Sequence, residues 1–351
     1  MRKCLAMAAL FLVSLAAPAR ADVTVSIDRS AVDRLAAQAG VQLPDVDQQI
    51  RAELERLFQT YRVHDYLRSF NNAQSFTTRG LGVDYGSTIG LVEVGIAANV
   101  AVNGDKALSE SDARTQELSG VATNITAMAG LNLGFLGLRP VTLFGNFFKQ
   151  KGSYREFAAE LDNWGAHVQL KFLASRKESL WTAFVRWGGI AITTGVDRAR
   201  MRLTLEKTFS RAVPIAAGGR DVASVAVDSQ GTLALESRSW SVPLEVTTNL
   251  RFLYLLTAYG GVGYDFQLGG GSDMNVNLSG NLTGTAAGQT EKVPLGSAQV
   301  VVTNQAEPSR GQVRGILGLQ ANAWFFKVFT QLNVVPDPFV ASLAVGARLV
   351  W

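Results

Sequence analysis

The chain has 351 residues, of which 47% are hydrophobic and only 18% are charged, whereas soluble domains carry roughly 25% charged residues. Its 33 Lys and Arg residues exceed its 29 Asp and Glu residues, but Arg2, Lys3 and Arg20 lie in a segment that we expect to be removed, which leaves 30 against 29. This balance excludes the basic footprint of a nucleic-acid-binding protein. Cys4, the single cysteine, lies in the same segment, so we expect neither a disulfide nor a thiolate metal site in the mature chain.

Residues 1–21 are predicted to form a cleaved secretory signal peptide. Arg2 and Lys3 precede an apolar run over residues 5–17, and Ala19-Arg20-Ala21 has the small-x-small pattern of a cleavage site. The run is too short to span a membrane, which takes about 20 apolar residues. We therefore expect an exported protein whose mature chain begins at Asp22.

Residues 22–75 show helical periodicity and are predicted to form an N-terminal helical segment. Asp28 or Ser30 would cap a first helix that ends at Gly40, and a second helix would follow Asp45. The second helix carries an apolar stripe made of Ile50, Leu54, Leu57, Phe58 and Tyr61. Because this stripe must be buried, the segment is expected to cap the periplasmic mouth of the domain that follows, to plug its lumen or to contact a partner.

Residues 76–351 alternate between apolar and small or polar side chains, as in Val92-Glu93-Val94-Gly95-Ile96. No apolar run of 18 or more residues remains after the signal peptide, so no helix is expected to span a bilayer. In lipid, every backbone polar group must be paired within the protein, which a helix achieves alone and strands achieve only as a closed barrel. A soluble exported β-sandwich also alternates, but there the second face usually carries many charges. This pattern favours an all-β transmembrane antiparallel up-and-down barrel.

The C-terminal strand is the most specific feature of the sequence. Residues 339, 341, 343, 345, 347, 349 and 351 are all apolar, and Trp351 ends the chain. In this respect residues 77–351 resemble the outer-membrane β-barrel class, whose last strand is apolar at every second residue up to a C-terminal aromatic residue. The resemblance implies that Leu349 and Trp351 are recognised by the outer-membrane assembly machinery. A terminal Trp and Leu349, where an aromatic residue is frequent, are departures from the class.

Short and long connections predict about 10–12 strands, with the short ones at the periplasmic end. The expected strands are residues 90–102, 120–135, 140–150, 161–173, 180–208, 231–252, 254–268, 312–325, 327–335 and 339–351. Residues 103–119, 151–160, 211–230 and 269–311 are expected to be long extracellular loops. A further hairpin around residues 274–278 and 300–302 is left open. Tryptophans near the strand ends are typical of interfacial girdles, although Trp324 falls on the inward phase.

The inward phase supplies candidate lumen-lining residues, namely Glu93, His167, Lys171, Arg314, Gln320 and Arg348. His64 and His167 are the two histidines, and neither has a nucleophile or metal ligand at a recognisable spacing. No zinc-protease, nucleophile-elbow or phosphate-loop motif occurs. We therefore expect a protein that is not an enzyme and that has no cofactor and no metal.

Two functions are compatible with such a barrel. The first is a porin-like channel or transporter for small solutes, although small barrels are nearly filled by their own side chains. The alternative is a non-conducting structural or adhesion protein whose outer loops contact an extracellular ligand. Outer-membrane lipids and the assembly machinery are expected partners in both cases, and nucleic acid in neither.

Overall fold

The computed structural model of the chain describes residues 20–40, 42–43, 45–60, 63–86, 90–104, 120–138, 140–172, 184–217 and 220–351. The helices are α1 (Arg29–Ala39), α2 (Val46–Thr60) and α3 (Val63–Phe76). The strands are β1 (Arg20–Ile27), β2 (Val92–Asn103), β3 (Gly120–Asn132), β4 (Val141–Tyr154), β5 (Phe157–Lys171), β6 (Val185–Ala217), β7 (Arg220–Phe252), β8 (Leu256–Ala286), β9 (Val293–Ala306), β10 (Gly311–Ala323), β11 (Phe326–Pro336) and β12 (Phe339–Val350).

Ten of these strands form a closed antiparallel ring. Its order is β2-β3-β4-β5-β6-β7-β8-β10-β11-β12, and β12 pairs back with β2 from Val340↔Asn103 to Val350↔Glu93. Every strand of the ring therefore has two partners and no edge is left open, which is what a hydrocarbon environment demands of a sheet. The predicted up-and-down barrel is confirmed, with ten strands in the ring that the described residues form.

The predicted alternation is confirmed along the ring. In β3 and β12 the side chains of one phase are buried and those of the other phase are outside. Large apolar side chains on the outer phase are widely accessible, with Ile96 at 66% and Leu317 at 64%. A continuous apolar outer surface of this kind fits contact with lipid. The inward placement expected of Trp324 is wrong, because β10 ends at Ala323 and Trp324 lies in a turn with 97% of its surface exposed.

Strands β6, β7 and β8 have 33, 33 and 31 residues, far more than the roughly 10 that cross a membrane. Beyond the ring they continue as an extension, a five-stranded sheet of order β6-β7-β8-β9-β1 at the end of the barrel opposite Trp351. The loops expected at 211–230 and 269–311 are therefore wrong over most of their length, as is the one at 151–160, where β4 and β5 meet in a tight hairpin. The loop expected at 103–119 lies largely outside the described residues.

The inner face of the extension is covered by α1 and α2. Leu35 and Ile50 are fully buried with Val213, Ile215 and other apolar side chains of β6–β9. The predicted caps of α1 are confirmed, because Asp28 accepts a hydrogen bond from the backbone N–H of Ser30 and Gly40 has left-handed backbone angles. β1, which pairs with β9 from Arg20↔Thr303 to Ile27↔Gly296, was not predicted.

Candidate functional site

The lumen of the ring is filled by residues 67–86, which we call the lumen segment. It comprises the end of α3 and a stretch of irregular backbone, and Leu67, Phe76, Leu81 and Asp84 within it are fully buried. A Cβ atom at Gly120, at the extension end of β3, would lie 2.3 Å from the carbonyl carbon of Ser69. The chain then descends through the ring and leaves it beside its own C-terminus, since a Cβ atom at Gly90 would lie 2.3 Å from the carbonyl oxygen of Trp351.

Apolar contacts hold the lumen segment at successive levels of the barrel. Leu67 and Phe70 pack with Met201 of β6 and Leu235 of β7 near the extension. Lower down, Phe76 packs on β2, β3, β11 and β12, and Leu81 packs against Phe329. Val83 and Tyr85 meet Phe144 and Tyr259 near the exit. Contacts with strands from all around the ring mean that the segment occupies the centre of the lumen.

Arg79 joins the lumen segment to two strands of the wall. Its Nη1 donates to Asp197 Oδ2 of β6 at 2.9 Å, and its Nε lies 3.1 Å from Asp265 Oδ2 of β8. On its other oxygen Asp197 lies 3.2 Å from His167 Nε2 of β5. All these side chains are almost completely buried, so the charges need one another for compensation.

Arg314 of β10 lies at the centre of a second buried cluster. Its Nε donates to Asp265 Oδ2 at 2.9 Å, its Nη1 donates to Asn333 Oδ1 at 2.8 Å, and its Nη2 donates to Glu245 Oε1 of β7. Tyr85 of the lumen segment donates from its hydroxyl group to the other oxygen of Glu245 at 2.6 Å. The guanidinium thus links strands on both sides of β10 to the segment.

Asp84 anchors the lower end of the lumen segment. Its Oδ2 lies 3.3 Å from Lys327 Nζ of β11, and its Oδ1 lies 3.2 Å from Arg348 Nη1 of β12. Arg348 also donates from Nη2 to the carbonyl oxygen of Val83 at 2.6 Å, and its guanidinium lies 4.1 Å from the ring centre of Phe329. Together the three clusters join four cations, Arg79, Arg314, Lys327 and Arg348, to four carboxylates, Asp84, Asp197, Glu245 and Asp265.

The structure places the six candidate lumen-lining residues on the inner side of the wall. Glu93, His167, Arg314, Gln320 and Arg348 are buried, and Lys171 is partly buried. Three of them take part in the ion pairs described above, while Gln320 donates to Asn322 Oδ1 at 2.7 Å. Leu349 and Trp351 lie on the outer face.

Sequence reasoning missed six of the eight charged residues in these clusters, all except Arg314 and Arg348. Glu245 and Asp265 stand on the inward phase of their strands between apolar outward neighbours, so the alternation that identified Arg314 could have found them as well. Arg79 and Asp84 lie in a segment with no strand or helix period. No feature of the local sequence indicates that this segment lies inside a barrel.

Among the residues that the structure describes, no helix is long and apolar enough to cross a membrane.

The same residues contain no group of three or more His, Cys, Asp or Glu side chains that could hold a metal ion.

Residues 18–351 match the Lsa36-like family over nearly the whole chain. The chain belongs to the Lsa36-like family. No curated protein matches it. The family thus covers the barrel, the lumen segment and the extension together.

Several solved barrel structures are similar to this Lsa36-like chain. The translocator domain of the autotransporter NalP from Neisseria meningitidis is 10% identical, with 79% of this chain and 93% of that chain covered and a TM-score of 0.32. The attachment invasion locus protein Ail of Yersinia pestis is 12% identical (75% and 99% covered, TM-score 0.23), and a Pseudomonas aeruginosa FadL homologue is 8% identical (81% and 98% covered, TM-score 0.26). At such low similarity these proteins say nothing of what this chain binds or transports.

Proposed function

We propose that this chain is an outer-membrane barrel closed by its own lumen segment, and that it acts at the cell surface through the extension. The buried, ion-paired lumen segment is the observation that carries this proposal. The side chains of the wall nearly fill a ten-stranded ring even when no other segment of the chain lies inside it. Twenty additional residues inside the ring therefore favour a closed lumen over a passive pore.

The orientation of the barrel follows from its two ends. Outer-membrane barrels have short periplasmic turns and long extracellular elements. Here the short turns at residues 253–255 and 324–325 lie at the end of Trp351, and the extension lies at the other end. The extension, α1 and α2 then face the outside. With signal cleavage after Ala21, the mature N-terminus begins within β1, and the lumen segment leads the chain back to the periplasmic end.

A solute channel is the second candidate, and the polar composition of the inner wall favours it. Asn99, Asn124, Asn146 and Gln331 lie on the inner face together with the charged groups, as they would in a water-filled pore. For conduction, the lumen segment would have to leave the ring. Bound lipids and the assembly machinery, which would recognise Leu349 and Trp351, are partners in both proposals.

Single cysteines will test the orientation, because the mature chain has no cysteine of its own. Gln289 is exposed in the turn between β8 and β9, and Tyr254 is exposed in the turn between β7 and β8. On intact cells a membrane-impermeant maleimide is expected to label Gln289→Cys and to leave Tyr254→Cys unlabelled until the outer membrane is broken. Unaltered protein is the control for background labelling. The opposite pattern would place the extension in the periplasm.

Planar-bilayer recordings will test closure of the lumen. The unaltered protein is expected to show no discrete current steps, whereas replacement of residues 67–86 by a glycine-serine linker of equal length should open a steady conductance. Gly120→Val is a milder change, since its side chain would overlap the backbone at Ser69 and displace the segment. Gly152→Val is the matched control, because a Cβ atom there has no neighbour within 4 Å. Current steps of equal size in the unaltered protein and the linker variant would favour the channel.

A further inference from the structure

A group of arginines lies on the outer, lipid-side face of the barrel wall, just above the apolar band. Arg198, Arg200 and Arg202 of β6 occupy alternate positions, and Arg238 of β7 pairs directly with Arg200. We call these four residues the basic belt. The side chains of Arg202 and Arg238 are 44% and 55% exposed, so their guanidinium groups are open to the surroundings.

The height of the basic belt relative to the membrane is set by two tryptophans. Trp164 and Trp240 meet edge to face with ring centres 5.4 Å apart, and the guanidinium of Arg198 lies 5.7 Å from the ring centre of Trp240. Aromatic girdles mark the membrane interface. A strand rises about 3.4 Å per residue and is tilted by about 45° in such barrels. Arg200 and Arg202 therefore lie about 5 and 10 Å above the girdle, which is the depth of lipid headgroups.

The charge of the basic belt is not balanced by its own acids. Glu236 accepts hydrogen bonds from Arg200, Arg202 and Arg238 at 2.9, 2.6 and 2.5 Å, and Asp162 lies 3.3 Å from Arg198. Glu236 lies above the apolar band. Four cations thus share two carboxylates.

The neighbouring strands do not cancel this excess. On the same face, Asp162 and Glu160 of β5 stand between Lys149 and Lys151 of β4 on one side and Arg200 and Arg202 of β6 on the other. Asp273 of β8 pairs with Glu236. Six cations and four carboxylates leave two positive charges. A purely structural role for the ion pairs would explain little, because exposed pairs contribute about 0–1 kcal/mol each. The planar guanidinium fork matches phosphate oxygens in two-point contacts.

We propose that the basic belt binds the phosphate groups of anionic glycolipids in the outer leaflet of the membrane. Glu236 holds three arginines side by side so that their outer N–H groups form one anion-binding surface, and the girdle below contacts the acyl region of the same lipid. The inference rests on the proposed orientation, which places this face in the outer leaflet. Labelling of Gln289→Cys reports on the orientation alone, so a wrong orientation can be distinguished from a belt that does not bind lipid.

Binding of diphosphorylated lipid A to the purified protein in neutral detergent micelles will test the inference, with native mass spectrometry to count bound lipid. Arg202→Gln combined with Arg238→Gln is expected to weaken binding about tenfold or more, since each lost charged hydrogen bond contributes on the order of 1.4 kcal/mol, the equivalent of tenfold. Arg220→Gln combined with Lys292→Gln removes two exposed charges at the tip of the extension and is the matched control, expected to change affinity less than about twofold.

Glu236→Gln tests whether the arginines bind lipid or serve only to form ion pairs with Glu236. The glutamine keeps one oxygen that can accept hydrogen bonds from the arginines, but it removes the negative charge that competes with phosphate, so lipid A should bind at least as tightly as to the unaltered protein. Dephosphorylated lipid A should bind the unaltered protein as weakly as lipid A binds the double-arginine variant, and this comparison needs no variant that could fail to fold. The inference is wrong if dephosphorylated lipid binds equally well or if the control pair weakens binding as much.

Discussion

Arg314→Met is expected to destabilise the barrel strongly. The substitution leaves Glu245 and Asp265 buried with a large part of their positive charge removed. Glu245 would retain the hydrogen bond from Tyr85, and Asp265 would retain Arg79. Removal of one partner from a buried ion pair costs about 3–5 kcal/mol, because the remaining charge stays out of water. The temperature at which the folded form converts to the unfolded form on an SDS gel measures the loss.

A matched variant and a rescue variant make this prediction specific. Arg310→Met is the same change four residues earlier, at an exposed position, and is expected to cost less than about 0.5 kcal/mol. Glu245→Gln added to Arg314→Met removes the stranded charge, so the double variant should be more stable than Arg314→Met alone. An Arg314→Met protein with the unaltered conversion temperature would show that this cluster does not stabilise the barrel.

Asp84→Asn is expected to loosen the lower end of the lumen segment while the wall of the ring stays intact. Lys327 and Arg348 would lose the carboxylate that lies 3.3 and 3.2 Å from them, and each would remain buried with its charge. We expect the free energy of unfolding to fall by about 3–5 kcal/mol. The side-chain amide can still accept the hydrogen bond that Gly86 N–H donates to Asp84. The substitution therefore removes the negative charge and leaves the size of the side chain almost unchanged.

Trypsin cleavage at Arg79 will show whether the segment has left the ring, because this arginine is buried in the unaltered barrel. Cleavage should be fast in Asp84→Asn and slow in the unaltered protein. Asp221→Asn, at an exposed position near the tip of the extension, is the control and should behave like the unaltered protein. Equal protection in all three proteins would mean that apolar contacts alone hold the segment.

Several parts of the fold were predictable because lipid imposes a strict period on the sequence. The outward side chains of a membrane strand are predominantly apolar, so Val94, Ile96, Leu343 and Val345 mark their strands without any knowledge of the partners. The caps of α1 were equally local, since Asp28 and Gly40 act within one turn of the helix. In each case the information lies within a few residues along the chain.

The extension could not be predicted by the same rule. Residues 211–230 and 269–311 are rich in small and polar side chains, and their strands lie beyond the closed ring. Their apolar side chains, such as Val225, Val227 and Leu282, belong to a hydrophobic core only because α1 and α2 cover that face of the sheet. Whether such a stretch is a loop or a strand depends on cover supplied by residues 29–60.

The alternating pattern and the terminal strand up to Trp351 determined by themselves that the chain is an antiparallel barrel with about ten strands, because the period of the wall is set by lipid on one side. Only the tertiary structure decided what the barrel contains. Asp84 meets Lys327 across 243 positions of the chain, and no local period records such a contact. The lumen segment is specified by charge and shape complementarity with ten strands at once, which exists only after the ring has closed.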